Sequence, residues 1–185
     1  MQGMTVKDLD KIQTNLCQAG YDYQLELEDG KIIVMGPSDI TSSEIGIRFS
    51  AFLFLWVNPR RLGRIFDSSG GFILPDTNIK ALDVSFVKAE RLRKNVRYFG
   101  ELVPDLVVEI KSQSDTLKPL REKIQMFLLM GATVGILIDP DRQTVTVNRP
   151  NSDPILLQNG DILTIPELFP GWEVAIAELW PPEFD

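Results

Sequence analysis

Two short runs hold the residues of this chain best suited to chemistry. One is Val107-Val108-Glu109-Ile110-Lys111, a Glu-x-Lys on β-branched neighbours; the other is Leu82-Asp83-Val84-Ser85-Phe86-Val87. Side chains alternate faces along a strand, so Glu109 and Lys111 point the same way, about 7 Å apart. Leu106, Val108 and Ile110 point the other way. Each run therefore has an apolar face and a face that carries charge. Two carboxylates and an ammonium on adjacent strands can hold a divalent cation and activate a water. The same pattern also fits the solvated face of an ordinary sheet, where a cross-strand Glu–Lys pair contributes little. Burial separates the two readings. Charges in the middle of a sheet covered on both faces are costly unless a metal or a partner compensates them.

The rest of the composition narrows the chemistry. There is no histidine, so the commonest general base and transition-metal ligand are absent. One cysteine, Cys17, excludes an intramolecular disulfide, and without histidine it cannot build the usual zinc site or a thiol–imidazole pair. Any bound metal is expected to be an oxygen-liking Mg²⁺ or Mn²⁺. No run reaches eighteen apolar residues, and the most apolar stretch, Ile45 to Val57, contains Arg48, so no membrane span is expected. The first residues lack the apolar segment of a secretion signal, and a cytoplasmic location is the expectation.

Net charge is −7, which argues against a non-specific nucleic-acid coater. Base is gathered in Arg60-Arg61 with Arg64, in Arg91 to Arg97, and in Lys118, Arg121 and Lys123. Such groups are solvated faces more often than phosphate contacts, although Lys123 could flank the acidic residues from its helix. Acid gathers at Glu26 to Asp29 and from Glu167 onward.

The elements that must position these residues follow from periodicity. Val6, Leu9, Ile12 and Leu16 have helical spacing, and Gly20 stops that helix. Residues 23–27 and 31–35 form a hairpin around Glu28-Asp29-Gly30. Asp39 can cap a long helix over 40–57, with Ile45, Phe49, Phe52 and Trp56 as its stripe and Asn58-Pro59 as its end. Strands are expected at 63–66 and 71–74, then the two acidic strands, separated by a charged segment, 88–103, expected to be a short helix or lid. A second helix runs over 116–130, with Leu117, Leu120, Ile124, Phe127 and Leu128 inward and Gly131 after its end. Residues 134–138 read as a central strand, and 144–147 as its neighbour. One helix on each face of a mixed sheet makes an α/β/α sandwich. The length suits a single domain, 1–185, with 1–20 an N-terminal helix and 151–185 a C-terminal extension of short strands and turns.

At this point several blocks, taken in order, resemble one family. They are Glu44 on a helix, Phe66-Asp67-Ser68-Ser69, Gly71-Phe72-x-Leu74-Pro75 and Asp83-Val84-Ser85-Phe86. Then come Pro104 to Ser112, Ser114-Asp115, Lys123, Gly131 and Gly135 to Pro140. Over about Tyr23 to Pro150 the chain resembles the bacterial "putative restriction endonuclease" family of the Uma2 type, which has the PD-(D/E)xK nuclease-like fold. Leu82 stands where that family usually has proline before the first Asp, a position that shapes the strand and does no chemistry.

The resemblance implies a restriction-endonuclease-like α/β/α sandwich around a central mixed β-sheet. It implies that Asp83 and Glu109 ligate the metal, with the Ile110 carbonyl as a third ligand. Lys111 would orient or deprotonate the attacking water and offset phosphate charge, as base or as electrostatic clamp. Glu44 matches the position of an additional acidic ligand; its other reading is the flank of an amphipathic helix. The expected activity is Mg²⁺- or Mn²⁺-dependent hydrolysis of phosphodiester bonds in DNA, by a homodimer if both strands are cut. The alternative is a catalytically inactive nucleic-acid-binding or regulatory module on the same fold.

Overall fold

The computed structural model describes residues 3–184. A six-stranded sheet forms its centre. In spatial order it runs β10 (Ile155–Gln158), β9 (Thr144–Asn148), β8 (Val134–Asp139), β7 (Leu106–Ile110), β6 (Val84–Lys88) and β3 (Gly63–Asp67). Only β7 and β8 are parallel, and the crossover between them is α3 (Leu117–Leu129). The remaining pairs are antiparallel, which makes the sheet mixed.

The two faces of β7 explain the layering. Leu106, Val108 and Ile110 face α2 (Ile40–Arg60) and pack with its Ile45, Phe49, Leu53 and Val57. Val107, one residue out of phase, packs with Ile124 and Phe127 of α3. The period of two in the strand thus sends alternate side chains into two separate cores. Gly135 lets α3 lie close to β8, because a Cβ there would come within 2.4 Å of Ile124.

A second sheet stands beside the first: β2 (Lys31–Met35), β1 (Gln24–Glu28), β5 (Ile79–Ala81) and β4 (Gly71–Ile73). Helix α1 (Val6–Gln18) covers it through Leu9, which packs with Leu25, Leu27 and Ile79. The chain passes from the second sheet to the first at Leu82-Asp83, between β5 and β6. The C-terminal stretch pairs β11 (Ile162–Thr164) with β12 (Glu173–Ala175) and ends in a 3₁₀ turn, Ile176–Leu179. Its Phe169 and Trp172 join the core beneath α2. The extension is therefore part of the main core.

Three expectations change, and one strand was not expected. Helix α2 runs through Pro59 and ends at Arg61 in the left-handed region. A proline in the last turn loses just one intrahelical bond, so it does not stop the helix where the Asn58-Pro59 pair suggested. The inward stripe of α2 is Ile45, Phe49, Leu53 and Val57, while Phe52 and Trp56 are only partly buried. The segment between Lys88 and Val103 is built of turns and bends, with no helix. Arg64 holds it in place by donating to the Leu92 carbonyl at 3.0 Å, and Arg91 does so by pairing with buried Asp105 at 2.9 Å. Strand β5 has no expectation behind it, because its three residues are too few to show a period.

Candidate active site

Asp83 and Glu109 meet at one end of the β6–β7 ladder. The register pairs Val84 with Val108, so one step further Asp83 lies opposite Glu109. Asp83 sits just before β6, where the chain changes sheets, and this frees its carboxylate to turn back. Its Oδ2 accepts the Ile110 N–H at 2.7 Å. In an extended strand a residue's N–H and C=O project to the same side, so the Ile110 carbonyl also faces the Asp83 side.

Glu109 is only 4% exposed. Lys123 of α3 brings its Nζ within 2.9 Å of Glu109 Oε1. The contact is an ion pair without good hydrogen-bond direction, and Oε1 has no hydrogen-bond partner among the described residues. The Lys123 ammonium donates to the Ala81 carbonyl at 2.7 Å and lies 3.7 Å from Glu26 Oε1. Both carboxylates open onto a cleft of about 860 Å³ between the second sheet, the end of β7 and the first turns of α3.

The electrostatics follow from this burial. Loss of water pushes Glu109 up to about 7, with Lys123 opposing the shift and Asp83 adding to it. Burial also raises Asp83, against the hydrogen bond from Ile110. Burial alone would lower Lys123, but Glu109 and Glu26 outweigh it and hold the ammonium above its ordinary value. The two directions compete across the Glu109–Lys123 contact. We take Lys123 as charged, because Glu26 and Asp83 add to Glu109 in favouring its proton.

The remaining expected site residues lie elsewhere. Lys111 is one residue past the end of β7, and its ammonium swings toward the β8–β9 turn. There it pairs with Asp141 at 2.7 Å and donates to the Ser112 carbonyl at 3.1 Å. The Asp141 contact raises Lys111 above its ordinary value. Convergence of Lys111 with the carboxylates is thus corrected: the ammonium beside Glu109 belongs to Lys123. Glu44 lies on α2, on the far side of the central sheet from Glu109, and pairs with Arg48 at 2.8 Å. It does not reach the cleft. Among the described residues no third acidic, histidine or cysteine side chain joins Asp83 and Glu109 as a metal cluster.

The donors present are hard oxygens: two carboxylates and a main-chain carbonyl on the Asp83 side. The buried Glu109 Oε1 has the Lys123 ammonium beside it at 2.9 Å. That chemistry fits Mg²⁺ or Mn²⁺, with waters completing the shell. Sequence reading missed Glu26 and Lys80, which form a buried pair beside Lys123. The alternation of β1 put Glu26 on the polar face, but nothing local told that this face is covered. Lys123 stands where the sequence allows it to flank the site from α3, without showing that it, and not Lys111, meets Glu109.

Comparison with curated proteins gives no match. Among solved structures the chain is similar to "a putative nuclease belonging to DUF820" from Anabaena variabilis ATCC 29413. The TM-score is 0.77 at 24% identity, over 84% of this chain and 88% of that one. This likeness establishes the fold, an α/β sandwich around a central mixed sheet. The profile of the Uma2 family, described as "Putative restriction endonuclease", matches residues 10–177. With nearly its whole length matched, the chain belongs to the Uma2 family of putative restriction endonucleases.

Proposed function

We propose that this protein is a metal-dependent endodeoxyribonuclease whose site is the Asp83–Glu109 pair with Lys123. The observation that carries the reading is the buried Glu109 carboxylate, which lies across from Asp83 with the Lys123 ammonium 2.9 Å from its Oε1. Two facing carboxylates removed from water are costly unless positive charge compensates both. A divalent cation held between them would add that charge.

Asp83, Glu109 and the Ile110 carbonyl would hold Mg²⁺ or Mn²⁺. A cation bound there supplies Lewis-acid charge to a phosphoryl oxygen and lowers the pKa of a bound water. The protein's own groups do the rest. The Ile110 N–H fixes Asp83 Oδ2, and so holds this carboxylate at the wall of the cleft. Burial keeps the pair away from bulk water, which strengthens each charge interaction. Lys123 offers positive charge to the anionic phosphate as the reaction proceeds. Glu28, Asp115 and Glu122 also border the cleft, so acid outweighs base there. A phosphodiester entering there meets net negative charge, which a bound cation would offset.

The test is cleavage of supercoiled, linear and single-stranded DNA, titrated with Mg²⁺ and Mn²⁺. Metal-dependent cutting supports the reading; none with either ion ends it. One observation favours the alternative, an inactive binding module: the Glu-x-Lys lysine is engaged by Asp141 and stands away from the carboxylates. That reading expects DNA binding without cutting. A homodimer acting in the cytoplasm is the assembly and compartment the nuclease reading expects.

A further inference from the structure

Glu26 lies outside the motifs above. It is on β1, in the second sheet, and only 4% of it is exposed. A buried carboxylate must be compensated, and three groups do this for Glu26. Its Oε2 accepts from Lys80 at 3.1 Å, each residue lying one step beyond the Leu27–Ile79 register pair. Its Oε1 accepts the Ala81 N–H at 2.9 Å. The same oxygen lies 3.7 Å from Lys123 Nζ. Ala81 is therefore held at its N–H by Glu26 and at its carbonyl by Lys123, two residues before Asp83.

Main-chain pairing does not account for this arrangement. β1 and β5 share one register pair, Leu27 with Ile79. Where that ladder stops, the Glu26 side chain takes over the Ala81 N–H. Lys80, in turn, does not depend on Glu26 alone, because Glu28 lies 3.2 Å from its ammonium. One oxygen of Glu26 thus serves Lys80, and the other serves the residues that flank the site.

We propose that Glu26 is a positioning residue, which fixes the Lys123 ammonium beside Glu109 and so couples the second sheet to the cleavage site. The inference rests on the nuclease reading above. Lysine is a point charge on a flexible stem. Without Glu26, one wall of its seat is gone, and the stem can swing toward the open cleft. Misplacing a reacting or stabilising group by about 1 Å can cost on the order of a hundredfold in rate.

Glu26→Gln separates positioning from packing. The amide keeps the volume and an oxygen for the Ala81 N–H, and Lys80 keeps Glu28. Single-turnover nicking of supercoiled plasmid at saturating Mg²⁺ should fall about tenfold, while the DNA concentration giving half the maximal rate stays within about twofold. In a Lys123→Ala background the same substitution should change the rate by less than about twofold, because nothing is left to position. Thermal unfolding of the four proteins gives a readout independent of cleavage, and the two stability losses should be non-additive there as well. Wild-type nicking by Glu26→Gln, or penalties that multiply in the double variant, would overturn the inference. If Glu26→Gln does not fold, Glu26→Gln/Lys80→Met replaces it in the cycle, since that pair removes both buried charges together. A wild type that nicks plasmid with neither Mg²⁺ nor Mn²⁺ overturns the nuclease reading and this inference with it. A wild type that nicks while the cycle is additive overturns this inference alone.

Discussion

Lys123 Nζ lies 2.9 Å from Glu109 Oε1, while Lys111, two residues from Glu109 in the chain, pairs with Asp141 at 2.7 Å. The ammonium at the carboxylates thus comes from the helix α3 and not from the strand that carries Glu109. This predicts which lysine matters. Lys123→Ala should lower single-turnover cleavage by roughly a hundredfold or more, the scale of losing one electrostatic stabiliser in a site of this kind. Lys111→Ala should cost less than about tenfold. An equal or larger loss from Lys111→Ala would return the role to the Glu-x-Lys lysine.

Metal should bind the native state and not the unfolded chain. Mg²⁺ or Mn²⁺ at millimolar concentration is therefore expected to raise the melting temperature by a few degrees. Glu109→Gln should erase most of the shift, because it removes the charge on the buried ligand. A shift of equal size in the variant places the ions elsewhere.

Stability in the absence of metal should depend on pH through Glu109. Burial raises its carboxyl from 4.5 to about 7. Between these values the native state binds more protons than the unfolded chain, so stability falls as pH rises. The contribution is fully present below about 4.5 and lost once pH passes about 7. Its ceiling is on the order of 3 kcal/mol, shared with Lys123. In a chelator, melting temperature between pH 5 and 8 should therefore decline more steeply for the wild type than for Glu109→Gln. Added Mg²⁺ should stabilise more at pH 8 than at pH 5, because protons compete with the metal. Parallel slopes for the two proteins would show Glu109 ionised throughout.

Assembly is open to a direct measurement. Two-strand cutting calls for two sites related by symmetry. Sedimentation at tens of micromolar should give a dimer. The outer face of α2 leaves Ile47, Phe54 and Leu55 exposed. Leu55→Glu should shift the species toward monomer if that face is the contact, and a monomeric wild type would remove the prediction.

The local patterns of this chain were enough for its layers. Alternation in β7 separated Val108 and Ile110 from Glu109, and the stripe of Leu120, Ile124 and Phe127 marked α3. Such periodicities are properties of a single element, so they survive in the sequence. The pairing of Asp83 with Glu109 was also legible, because each lies on a recognisable run and adjacent runs tend to pair. Which cation stands beside Glu109 was not. Lys111 follows Glu109 just past the end of the same strand and Lys123 stands on the next helix, and only the packing of α3 over β7, with the turn of the chain after Ile110, decides between them. Glu26 was illegible for the same reason. Its neighbours in space, Lys80, Ala81 and Lys123, come from β5 and α3, and a charge on a short alternating strand reads as solvated until another layer covers it. Burial of a charge is a property of the assembled sheets, and no local period records it.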